Sequence, residues 1–143
     1  MSIRLLLAVA AMTVSLPATG QTVKVDTGSV AGATQGATTV FKGIPYAAPP
    51  VGPLRWKAPQ PAARWNGVRD ARSFGAACAQ GPEHKEPWAQ VGPMSEDCLF
   101  LNVWRPTKPG KYPVMVFLHG GGFTYGAAGV PLYDGAGLRS AAQ

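Results

Sequence analysis

Residues 119 to 123 read His-Gly-Gly-Gly-Phe and follow directly on an apolar run, Val114 to Leu118. Each glycine loses more backbone freedom on folding than any other residue, so three in a row need a reason. One reason is chemical. In acyl transfer the attacked carbonyl oxygen takes on negative charge, and backbone N–H groups already aimed at it stabilise that charge without reorganising. Losing one such donor costs about 3–4 kcal/mol in the barrier. Glycine lets successive amides point the same way and lets a substrate come close. A tight strand-to-helix turn would also use glycine. A phosphate loop would too, but it ends in Gly-Lys-Ser/Thr, whereas this chain continues Phe-Thr-Tyr-Gly. On residue types alone the loop favours hydrolysis of esters or lipids.

Donor amides act only if the surrounding chain holds them. The runs Leu99 to Trp104 and Val114 to Leu118 read as two strands joined by the turn Lys-Pro-Gly-Lys-Tyr. Continuous apolar runs of this kind belong to strands covered on both faces, as in the sheet of an α/β protein. Upstream, 22 to 44 reads as short extended pieces, "TVKVDTG", "SVAG" and "TTVFKGI", punctuated by glycines 28, 32, 36 and 43. The expected product is a small antiparallel meander. Six prolines between Pro45 and Pro61 exclude helix and central strand there. The segment is either an ordered loop held by aromatic side chains or a flexible linker, and Trp56 and Trp65 favour the ordered loop. Residues 135 to 143 have the Ala/Leu/Arg content of a starting helix.

Composition narrows the rest. A chain of 143 residues with 46% hydrophobic and 14% charged residues suits one packed domain or part of a larger one. The formal charge is +6, but the 13 basic residues are scattered and form no patch interleaved with aromatics, so nucleic acid is not an expected partner. The amino terminus has the three regions of a secretory signal peptide: basic "MSIR", apolar "LLLAVAAMTVSL" and small-residue "PATGQ". Cleavage is expected after Gly20, giving a secreted or periplasmic protein. The apolar stretch, closed by Pro17, falls short of the about 20 residues of a spanning helix, so no stable membrane anchor is expected. Two cysteines, Cys78 and Cys98, read in an exported chain as one disulfide, worth about 3 kcal/mol on the chain-entropy model. Two free buried thiols are the alternative. His84 and His119 do not complete a metal site around the pair, and no metal or cofactor is implied.

Several long motifs then fall in one order: "FKGIPYAAPPVGPLRWKAPQP" (41 to 61), "WNGVRDARSFGAACAQ" (65 to 80), "SEDCLFLNVWRP" (95 to 106), and "PVMVFLHGGGF" with "PLYDG" (113 to 135). Together they resemble the amino-terminal part of the type-B carboxylesterases, the family that includes the cholinesterases. The resemblance covers 22 to 143. It implies an α/β-hydrolase fold, represented here by its amino-terminal strands, proline-rich loop and oxyanion loop, and hydrolysis of small-molecule carboxylic esters by a serine nucleophile.

Roles follow by position. Gly121 and Gly122 match the family's oxyanion-hole amides, with Gly120 setting up the turn. Cys78 and Cys98 match its first disulfide. Arg55 and Glu96 match a buried ion pair tying the proline-rich loop to the cysteine loop. In cholinesterases a Trp at the spacing of Trp88 faces a cationic group, but the intervening sequence here matches poorly and Trp88 reads as packing. His119 orients the loop and is not the catalytic base, and His84 reads as exposed.

A hydrolase of this type needs a G-x-S-x-G elbow with a later acid and His. None of the serines, at 2, 15, 29, 73, 95 and 140, has glycines at both flanking positions. The nucleophile and triad are therefore expected beyond Gln143, in a longer reading frame. Residues 21 to 143 are then an incomplete esterase domain without turnover of its own. A non-catalytic binding or adhesion module of the same family, and an independent small β protein, are the competing readings.

Overall fold

The computed structural model describes residues 20–81 and 90–135. The leader up to residue 19, His84, Trp88 and the helix expected after Gly135 lie outside the described residues.

Eight short strands carry the structure: β1 (Thr22–Val25), β2 (Gly28–Ala31), β3 (Ala33–Gln35), β4 (Thr38–Pro45), β5 (Val68–Asp70), β6 (Ala77–Cys78), β7 (Met94–Ser95) and β8 (Phe100–Pro106). The β-branched and alternating segments between Thr22 and Pro45 form strands where expected, but not one meander. They form two hairpins in different sheets. β1 and β2 pair antiparallel, and β5 joins β2 in parallel. β3 and β4 pair antiparallel, and β8 joins β4, also antiparallel. The split falls at Gly32, where the chain runs so close to the Val40 carbonyl and the Phe41 ring that a side chain would not fit.

The core between these sheets is Val30, Phe41 and Ala71, with Val23, Val25, Ile44 and Trp65 packed against it. Trp65 closes the proline-rich segment onto β2. Its indole Nε1–H donates to the Ser29 carbonyl at 2.8 Å, and its backbone N–H donates to Thr27 at 2.9 Å. Within that segment a 3₁₀ turn at Gly52–Leu54 and a bond from Ala48 N–H to the Gln60 carbonyl, 2.8 Å, fix the path. The ordered-loop expectation holds, though not through Trp56, which is 91% exposed.

One residue more on β4 than on β8 makes a bulge between Phe41 and Ile44. Gly43 sits in it at φ 64° and donates its N–H to the Asn102 side chain of β8 at 3.0 Å. The same Asn102 amide donates to the Ala128 carbonyl at 3.3 Å. Asn102 thus links the second sheet to the chain beyond the glycine run.

A smaller unit lies under that chain. β6 and β7 pair in parallel, and Ala77, Ala127 and Val130 form a buried cluster with Val91 and Tyr133 against it. The segment Val114–Leu118 departs from expectation. It makes no ladder with any described strand, and its side chains are 57–89% exposed. An apolar run becomes a buried strand only where a neighbouring edge accepts its amides and covers its faces, and no described strand lies beside this one.

Candidate active site

The glycine run forms a tight turn. The Gly121 carbonyl accepts from Thr124 N–H (3.0 Å), from Thr124 Oγ1–H (3.0 Å) and from Tyr125 N–H (3.3 Å). Gly121 adopts φ 131°, and a Cβ there would run into the Tyr125 carbonyl oxygen, so only glycine fits. Gly122 follows at φ 59° with open space around it. Among the described residues neither the Gly121 nor the Gly122 amide hydrogen is given to a protein acceptor. The turn therefore spends its carbonyl inward and keeps two successive donors. Phe123 stands at φ 62° with its ring fully in solvent. That left-handed conformation is costly for a bulky residue, and the turn's three inward bonds offset it.

The two ends of the turn meet. Gly126, at φ 113°, lies against the Gly120 carbonyl and the His119 ring. His119 Nδ1 is 2.8 Å from the Gly120 oxygen, a contact made by the Nδ1–H tautomer. The imidazole stacks on Tyr133, centroids 6.5 Å apart, and the Phe117 ring packs tilted against the same Tyr133 at 5.2 Å. These contacts suit a residue that shapes the loop. Beyond Gly126, Ala127 and Val130 are buried in the small cluster.

Cys78 and Cys98 form a disulfide, S–S 2.06 Å with Cα atoms 4.9 Å apart. Arg55 and Glu96 pair at 3.0 Å, but their side chains are 56% and 46% exposed. The expected burial is absent because both groups reach across from surface loops with water on their outer sides. An exposed pair of this kind is worth about 0–1 kcal/mol. A surface groove of about 450 Å³, lined by Phe74, Val91, Pro93, Gly129 and Pro131 among others, draws nothing from the glycine turn. Among the described residues no three His, Cys, Asp or Glu side chains gather as a metal site.

Sequence reasoning missed Gln80 and Asn102, the side chains that grip the chain after the turn. Neither belongs to a motif with a mechanism, and the one available signal was a lone Gln two residues after a cysteine.

The family profile described as "Carboxylesterase family" matches residues 19–142. The chain belongs to the carboxylesterase family. It is 46% identical over 115 residues to the fumonisin B1 esterase of Sphingopyxis macrogoltabida, covering 79% of this chain and 21% of that protein. To the para-nitrobenzyl esterase of Bacillus subtilis it is 44% identical over 124 residues, covering 85% and 25%. To the acetylcholinesterase of Bungarus fasciatus it is 40% identical over 147 residues, covering 93% and 24%. A solved thermophilic para-nitrobenzyl esterase superposes with TM-score 0.76 at 44% identity, over 80% of this chain and 24% of that one. The eight strands are thus the amino-terminal portion of an α/β-hydrolase fold. This carboxylesterase chain spans about a quarter of the length of the relatives it matches.

Proposed function

We propose that this chain provides the amino-terminal part and oxyanion loop of an exported carboxylic ester hydrolase of the serine type. The observation that carries the reading is the pair of unspent amides, Gly121 and Gly122, on a turn whose carbonyl is held inward. A serine hydroxyl from sequence that follows these residues attacks the ester carbonyl carbon, and the π electrons move onto the carbonyl oxygen. The two amides donate to that oxygen, in a place where donors fixed beforehand stabilise charge without reorganising. Collapse of the tetrahedral species expels the alcohol, and water then releases the acid by the same route. The names of relatives, a para-nitrobenzyl esterase and a fumonisin B1 esterase, support small carboxylic esters as substrates.

Turnover of p-nitrophenyl acetate by the full-length encoded product tests this. Gly121→Ala pushes a Cβ into the Tyr125 carbonyl, displaces both donors and is expected to lower kcat about 10²–10³-fold with KM little changed. A Gly121→Ala enzyme with wild-type kcat removes the oxyanion assignment. A product that folds but carries no serine in its elbow and turns nothing over supports the binding or adhesion module instead. The 143-residue chain alone is expected to hydrolyse nothing. Export rests on the leader's three-part composition, and amino-terminal sequencing of the exported protein is expected to begin at Gln21.

A further inference from the structure

We infer that Gln80 is a positioning residue for the oxyanion loop, setting where the Gly121 and Gly122 amides point. The inference rests on the oxyanion reading of those two glycines and assigns the group that holds them.

Every polar atom of the Gln80 amide is used. Its Oε1 accepts the Gly126 N–H at 2.7 Å. Its Nε2 donates to the Gly126 carbonyl at 3.0 Å and to the Cys78 carbonyl at 3.0 Å. Gripping both polar groups of one distant residue fixes its peptide planes in orientation as well as position, much as a strand partner would. Gly126 is the residue so held, and it is the neck of the turn, packed on Gly120 and His119. The other end of the clamp is equally fixed. Cys78 lies in β6, paired to β7, and is bonded covalently to Cys98. Gln80 therefore connects a cross-linked anchor to the loop whose amides must meet a developing charge within a fraction of an ångström. Other side chains do not fit this role. Asn is one methylene short of reaching both ends, Glu sets a carboxylate against two carbonyl oxygens, and Met fills the space without holding anything.

A group that aims donors acts on the transition state and leaves ground-state binding alone, so its loss should appear in kcat. In the full-length product, Gln80→Met is expected to lower kcat about ten- to a hundredfold, the usual scale for a misplacement near 1 Å. KM should stay within about twofold. Affinity for a trifluoromethyl ketone, whose adduct places an oxyanion in the hole, should fall in parallel with kcat/KM. Arg55→Ala, at an exposed pair outside the loop, should change neither. Should Gln80→Met not fold, Gln80→Asn, which keeps both polar groups, is read by the same criteria. Wild-type kcat and ketone affinity in the variant overturn the inference, as does a rise in KM with kcat preserved. Gly121→Ala run alongside separates the two claims. If it leaves ketone affinity intact, the oxyanion reading itself falls. If it weakens ketone affinity while the Gln80 variant does not, only the clamp falls.

Discussion

The two halves of the described structure are held by different physics. Around Val30, Phe41 and Ala71 the chain is secured by ladders and by apolar area removed from water: β4 pairs on both edges, and Thr38 to Phe41 are all buried. Around the glycine turn there is no ladder at all between Lys111 and Val130. That half is secured by two side-chain amides, Gln80 and Asn102, by a disulfide, and by a patch of small residues. The lesson is a division of labour. Burial stabilises the first half redundantly, so that it tolerates imprecision. The second half depends on a few directional contacts, which contribute little stability each but define where two amides sit.

The comparison breaks most visibly in the first half. Phe41→Ala removes a ring that is 3% exposed and should cost about 3–5 kcal/mol of stability, measured by urea denaturation of the full-length product. Activity per folded molecule should survive. A folded Phe41→Ala protein with collapsed kcat would show that the halves are not separable. Next in size is the pair Cys78→Ser with Cys98→Ser. It should lower stability by about 3 kcal/mol and, unlike Phe41→Ala, also lower kcat, because the clamp loses its anchor. Equal stability loss with unchanged kcat would contradict the division.

The smallest effect sharpens the contrast from the sheet side. At the end of β5, the Arg72 guanidinium bonds to the Asp70 carboxylate at 2.7 and 2.9 Å, and this hydrogen bond holds the Asp70 pKa below the usual carboxylate range. Folding lowers that pKa, so the pair's contribution is present above the unfolded carboxylate's value and is lost as pH falls through the lowered one. Asp70→Asn should lower Tm slightly in the neutral region and leave the acid extreme unchanged, so that the acid limb of a plot of Tm against pH becomes slightly flatter. An equal drop at all pH values would mean that the carboxylate matters for something other than its charge.

The same contrast explains what the sequence made readable. β4 and β8 were legible because β-branched and aromatic runs bounded by glycine and proline specify strands locally. The glycine turn was legible because its chemistry needs consecutive glycines. Sheet membership was not, since the parallel pairing of Val68–Asp70 with β2 is decided by chain far away in sequence. Val114 to Leu118 misled for a related reason: apolar character announces a wish for cover, and cover comes from other segments. The two tryptophans of the proline-rich stretch looked alike, yet Trp65 bonds to Ser29 while Trp56 stands in solvent under the Arg55 guanidinium, 5.8 Å from its ring. Gln80 and Asn102 were invisible because an amide side chain gives no periodicity and no spacing rule.

Both clamps take hold of main-chain atoms only: Gln80 the N–H and carbonyl of Gly126, Asn102 the carbonyl of Ala128. Every amino acid presents the same carbonyl, and Phe123 at the tip of the turn holds its ring fully in solvent. Mutation can therefore rewrite that side chain, and with it whatever it touches, while the donors stay aimed. The loop is in this sense evolvable: its chemistry is written in backbone, and its selectivity is left open to drift.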